Sequence, residues 1–224
     1  MLPFTREQFF AVFVDYNAGV WPVQLVAYLI GFGSIALLIR PSRSSGRAIA
    51  GGLAALWAWT GVAYHGLHFS TINRAAYAFA ALFVLQGLLL LHFGVSKTQL
   101  RFGARAGSSP VLGWALVAYA MALYPLVGLV SGHRQGELPA FGITPCPLTL
   151  FTIGLFLLAT APVPVPRRLL VIPIIWSLIG GSAAFLLDVP QDWPLLFSGV
   201  AIVLVLWREH RRTASLHAHP SAGR

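Results

Sequence analysis

The sequence predicts an all-α fold, a polytopic transmembrane helical bundle of seven spans, and three observations predict it. Of its 224 residues, 57% are hydrophobic and 9% charged, where soluble domains carry about a quarter charged. Apolar runs recur from residue 20 to residue 207, and most basic residues fall in the short segments between them. The longest polar gaps, residues 96–110 and 131–145, have the length of loops and leave no room for a soluble domain. A net charge of +9 would suggest nucleic acid in a soluble protein. Here the positive-inside rule accounts for it, so the expected partner is the lipid bilayer and no nucleic acid.

The chain opens on a short helix over residues 2–17. Thr5-Arg6-Glu7-Gln8 is a capping box, with Phe4 and Phe9 placed as a hydrophobic staple. Too short and too polar to span, this helix is expected to lie in the interface or to cap the bundle. Spans are expected over residues 20–39, 48–68, 75–95, 111–130, 147–161, 169–187 and 193–207, judged against roughly 20 residues per crossing. The first begins at Trp21-Pro22, the second carries a small-residue strip of Gly51, Gly52 and Ala55, and the fourth is expected to kink at Pro125. The fifth is short, so its start is expected to be recessed. Residues 1–210 then form one transmembrane domain, and residues 211–224 a disordered cytoplasmic tail whose His210, His217 and His219 are more simply solvated than metal-bound. Pro22, an apolar run, Pro41 and arginines are echoed by Pro147, an apolar run, Pro162–Pro166 and arginines, which raises a repeat of three spans, a linker span and three spans.

With seven crossings, one side receives Arg40, Arg43, Arg47, Lys97, Arg101, Arg105, Arg167, Arg168, Arg208, Arg211, Arg212 and Arg224, and the other Arg6, Arg74 and Arg134. That asymmetry puts the amino terminus outside and the carboxyl terminus in the cytoplasm. No basic n-region precedes the first span and no small-residue cleavage site follows it, so it is expected to remain as an anchor. The single cysteine, Cys146, excludes an internal disulfide.

The expected spans hold no Asp, Glu, Lys or Arg, which weighs against ion-driven transport, and the seventh lacks the lysine a retinal would need. The candidate site therefore lies on the outer side. His65 and His68, three residues apart, would share a helix face and point at one ligand or metal. Cys146, in Thr144-Pro145-Cys146-Pro147, would sit at a helix amino end whose dipole lowers thiol pKa, and could join them as a soft-metal ligand. Asn73 and Asp15 face the same compartment. Asp188 and Asp192 could add carboxylates, although Asp192 reads equally as a helix cap. Gln86 is expected to bond a neighbouring helix. His92 lies near the far end of its span, roughly 20 Å from His65, so no haem is expected either.

Three stretches, LPFTREQFFAVFVDYNAGVWP, VAYHGLHFSTIN with the following AAYAF, and FGITPCPLTLFTIGLFLL, resemble the small bacterial membrane proteins grouped as domain of unknown function 6064. The resemblance covers nearly the whole chain and implies a multi-pass protein of the bacterial inner membrane, with no activity attached; Leu148 stands where the family is typically hydroxyl-rich. The leading expectation is a protein that binds or passes a small solute or soft metal at a pocket bounded by His65, His68, Asn73, Cys146 and Asp15. Two others stay open. One is a membrane-embedded enzyme using His65 or Cys146, which needs a third group to orient the imidazole. The other is an accessory subunit that docks on a membrane-protein partner or on its own copies through the Gly51, Gly52, Ala55 face.

Overall fold

A computed structural model describes residues 2–105, 109–160 and 165–218, and helices account for its regular structure, with no strand among the described residues. Thr5 and Gln8 close the capping box reciprocally, Phe4 stacks on Phe9 at 6.0 Å, and α1 runs Arg6–Gly19. Helix α2, Val23–Ile39, leaves α1 at 87°. Helix α3, Ser45–Trp59, continues as a π-helix over Thr60–His68, and α4, Ala76–Leu90, as another over Leu91–Ser96. Helices α5, Pro110–Ala118, and α6, Tyr124–Val130, are joined by the π-turn Tyr119–Leu123. Pro125 explains that turn: it has no N–H for the carbonyl four residues back, so the ladder slips to wider bonds instead of breaking. This wider turn stands just before Pro125, where a kink was expected.

Helix α7, Pro145–Leu157, is the pillar around which the rest is arranged. Every residue of it but Cys146 is buried, a helix apolar on all sides and covered on all sides. It packs on α3, α5, α8 (Arg167–Gly181) and α10 (Trp193–Ala218). The approach to α5 is backbone to backbone: a Cβ on Gly154 would stand 2.8 Å from the Gly113 carbonyl oxygen, and one on Gly113 2.9 Å from that of Gly154. Beside it, the Trp57 indole donates to Thr152 Oγ1 at 2.9 Å, and Gln86 Nε2 donates to the Leu169 carbonyl of α8 at 3.0 Å, the interhelical role expected for it. Gly52 packs on Ile30 of α2 and Gly51 lies against Val95, so this chain already covers most of the strip offered to a partner, with Ala55 left exposed.

Among the described residues three helices are long and apolar enough to cross a membrane, Ala76–Ser96, Pro110–Val130 and Arg167–Leu186, or up to four if the bent pair α1 and α2 forms one span. This corrects the seven expected. The expected runs lie mainly in helices among the described residues, but α2 alone has 17 residues and α7 has 13, short of a full crossing. The helix from Ser45 to His68 is long enough, yet its glycines, tryptophans and histidines dilute its apolar character. The backbone is helical as far as Ala218, where a disordered tail was expected from residue 211. No glycine or proline interrupts residues 208–218, so the helix propagates. The side chains of Arg208, His210 and His217 lie outside the described residues, as do His219 and Pro162–Pro164 of the suggested repeat.

The loops gather at two ends. Residues 41–47, 98–102 and Thr160 enclose one cleft, tied by bonds from Thr160 N to the Arg101 carbonyl (2.8 Å) and from Ala104 N to that of Leu38 (3.2 Å). At the other end, α1 closes over the π-helix, the Pro139–Pro145 turn and Leu187. His68 lies against Gly19, before α2 begins, and Arg40 follows its last turn, about 25 Å away at 1.5 Å per residue.

Candidate functional site

Beneath α1 lies a cavity of about 160 Å3 walled mainly by Phe4, Phe9, Phe13, Phe69, Phe79 and Trp176. No Asp, Glu, Lys or Arg lines it; its polar groups come chiefly from His65, Asn73, Cys146 and Trp176. The capping box and the Phe4–Phe9 stack fix α1 as its roof, and Tyr16 holds that roof down. The Tyr16 hydroxyl donates to the Ile143 carbonyl at 2.7 Å and accepts from Trp59 Nε1 at 2.9 Å.

The π-helix sets the histidines apart. Bonds that reach one residue further along the chain widen each turn, so residues three apart no longer stack as they do in an α-helix. The His65 ring is wholly buried and packs edge-on against Phe83 (4.7 Å), Trp176 (5.0 Å), Tyr64 (5.1 Å) and Phe79 (5.7 Å). Neither of its nitrogens has a hydrogen-bond partner. His68 turns to Tyr16, 5.0 Å between rings, and its Nδ1 bonds the Ala63 carbonyl at 2.8 Å. The shared face predicted for this pair is not formed.

Cys146 opens α7 on the cavity wall. Its thiol meets Asp192, Tyr124 and the Trp176 indole; Tyr124 donates to Asp192 Oδ1 at 2.6 Å. Burial first, then the Asp192 carboxyl, push the thiol well above its ordinary range, opposite to the lowering expected from a helix amino end. The Asp192 side chain is turned inward, to Tyr124. Burial raises its pKa to about 7 against hydrogen bonds from Tyr124 and Cys146 that favour the carboxylate. The Trp176 N–H approaches the sulfur without a hydrogen bond of good geometry to any partner. It lies on Gly180 one turn along α8, where a Cβ would come within 2.6 Å of the indole nitrogen.

The model of a family of unknown function, DUF6064, matches residues 6–218. This chain belongs to that family. No curated protein and no solved structure matches it. In this DUF6064 member, His65, Asn73 and Cys146 do meet at one cavity, while His68 and Asp15 do not join them. Asp15 is exposed on the far face of α1, in a polar groove with Arg6, Glu7 and His133. Asn73 serves the rim, its Oδ1 accepting from Ala75 N at 3.1 Å at the start of α4. No three His, Cys, Asp or Glu side chains converge as a metal centre requires, among the described residues, so the soft-metal set of His65, His68 and Cys146 is not assembled. The enzyme reading lacks its orienting group, since His65 has no partner. As site residues Trp176 and Tyr124 escaped the sequence reading; in the sequence Trp176 and Gly180 stand out only as an echo of Trp59 and Gly61.

Proposed function

We propose that this DUF6064 member is an integral membrane protein that binds a small lipophilic molecule in the cavity under α1, with its arginine-rich end in the cytoplasm. The observation that carries the reading is the cavity itself, about 160 Å3, aromatic and free of charged groups. An engineered apolar cavity of about 150 Å3 is enough to take up benzene, so the body accommodated here is ring-sized. The rim supports entry from lipid: Leu2, Ile179 and Leu186 are 41%, 40% and 52% exposed beside the opening, apolar surface suited to hydrocarbon. Arg43, Arg47 and Arg101 ring the cleft at the opposite end, as the positive-inside rule requires for that end to be cytoplasmic.

Ala183 lines the cavity, and Ala183→Phe would fill it. Thermal unfolding in lipid nanodiscs with saturating toluene tests the proposal. A ligand that binds only the folded state raises the midpoint by mass action, so toluene is expected to raise it in wild type and not in Ala183→Phe. Equal shifts in the two proteins, or none in wild type, would contradict the proposal.

A further inference from the structure

The cavity's polar groups are few, and two of them lack a well-formed hydrogen bond. His65 is fully buried with both ring nitrogens unpaired, and Trp176, 6% exposed, turns its Nε1 only to the Cys146 thiol, a weak acceptor. Their ring centroids are 5.0 Å apart, and both line the same space. Burying a polar group with no partner is costly, and native proteins rarely leave one so. The other buried side chains with unpaired atoms, Gln191 and Thr60 among them, do not line this cavity.

The kind of group that would complete them follows from what each can offer. Tryptophan Nε1 only donates, and a neutral imidazole donates from one nitrogen and accepts at the other. Two donors on adjacent rings call for an acceptor with two lone pairs. A carboxylate would supply them, but it would be buried with no Lys or Arg in the lining and with Asp192 just behind Cys146. An ammonium would gain from the aromatic walls, yet it would face two N–H groups with the wrong polarity. A neutral carbonyl oxygen accepts from both N–H groups without burying a charge, leaving only the second His65 nitrogen unpaired, and the phenylalanines of α1 and α4 then enclose the apolar body that bears it.

We infer that the site is selective for a neutral carbonyl compound on a ring-sized apolar body, the carbonyl oxygen accepting from His65 and Trp176. This rests on the cavity being a binding site. Four probes of nearly equal size separate the alternatives: acetophenone, isopropylbenzene, benzoate and phenyltrimethylammonium, each titrated into the full chain in nanodiscs.

Acetophenone is expected to bind about tenfold more tightly than isopropylbenzene, the return on satisfying one to two buried donors, and benzoate and the ammonium more weakly than either. In His65→Phe and in Trp176→Phe the preference for acetophenone is expected to shrink several-fold while isopropylbenzene binding stays. Wild type alone decides the inference should a variant not fold. If isopropylbenzene equals acetophenone, the two donors are met by water and the inference is overturned with the cavity reading intact. If benzoate or the ammonium binds best, the head group has been misassigned. If none of the four binds, the cavity reading itself has failed.

Discussion

Asp192 turns its carboxyl into the bundle, 1% exposed, and keeps its proton up to about pH 7. The groups that face it are Tyr124, Cys146, Tyr119 and Tyr64, phenols and a thiol that carry no charge at that pH or below. An unfolded aspartic acid releases its proton near pH 4. Between those values the folded chain holds a proton that the unfolded chain has lost, so stability falls as pH rises through that window. The stabilisation is complete below about pH 4 and gone above about pH 7, and amounts to something on the order of 4 kcal/mol. Thermal unfolding from about pH 5 to about pH 8 should show wild type losing stability, with a much flatter profile for Asp192→Asn, whose amide oxygen still accepts from Tyr124. Parallel profiles would mean that Asp192 is ionised in the fold. At this scale the sequence disclosed identities better than neighbours. His65, Asn73 and Cys146 could be named from their place at a polar boundary. The pairing of His65 with His68 assumed α-helical spacing, and nothing in VAYHGLH announces the wider π-turn.

Among the elements, α7 depends on glycine contacts that a hydropathy pattern does not reveal. A methyl group on Gly154 would meet backbone, the Gly113 carbonyl oxygen at 2.8 Å and Val117 N at 3.1 Å, and neither can yield without shifting α5. Gly33 of α2, by contrast, has open space around it. Gly154→Ala is expected to cost about 1–3 kcal/mol by overpacking, and Gly33→Ala to gain about 0.5–1 kcal/mol from lower backbone entropy in the unfolded chain. Opposite shifts in unfolding midpoint would bear this out; a tolerated Gly154→Ala would mean that α5 and α7 stand further apart than described. Helix positions were legible from apolar period and caps: the capping box at Thr5 and the shortness of α7 both appear as expected. The number of spans was not, because an apolar run reads the same whether protein or lipid covers it. Hydropathy alone cannot distinguish α7, enclosed by its neighbours, from α4, which exposes Leu85 and Leu88.

For the molecule as a whole, the separation of its ends is the feature from which the proposed function starts. Three arginines ring one cleft; at the other end α1 roofs an apolar chamber whose polar contacts come chiefly from His65, Asn73, Cys146 and Trp176. The clustered arginines marked one end in the sequence, but the alternation that assigned them a side rested on seven crossings, which the described helices do not supply. The chamber was not visible, since its walls come from α1, the π-helix, α4, α7 and α8, brought together only by the tertiary fold. A chamber that serves as a binding site should retain its occupant through gentle purification. The most direct measurement is mass spectrometry of the organic extract from protein purified out of its native membrane, wild type beside Ala183→Phe. One small lipophilic compound is expected at near-equimolar yield from wild type and absent from the filled variant. Extracts that match in composition and amount would contradict the account.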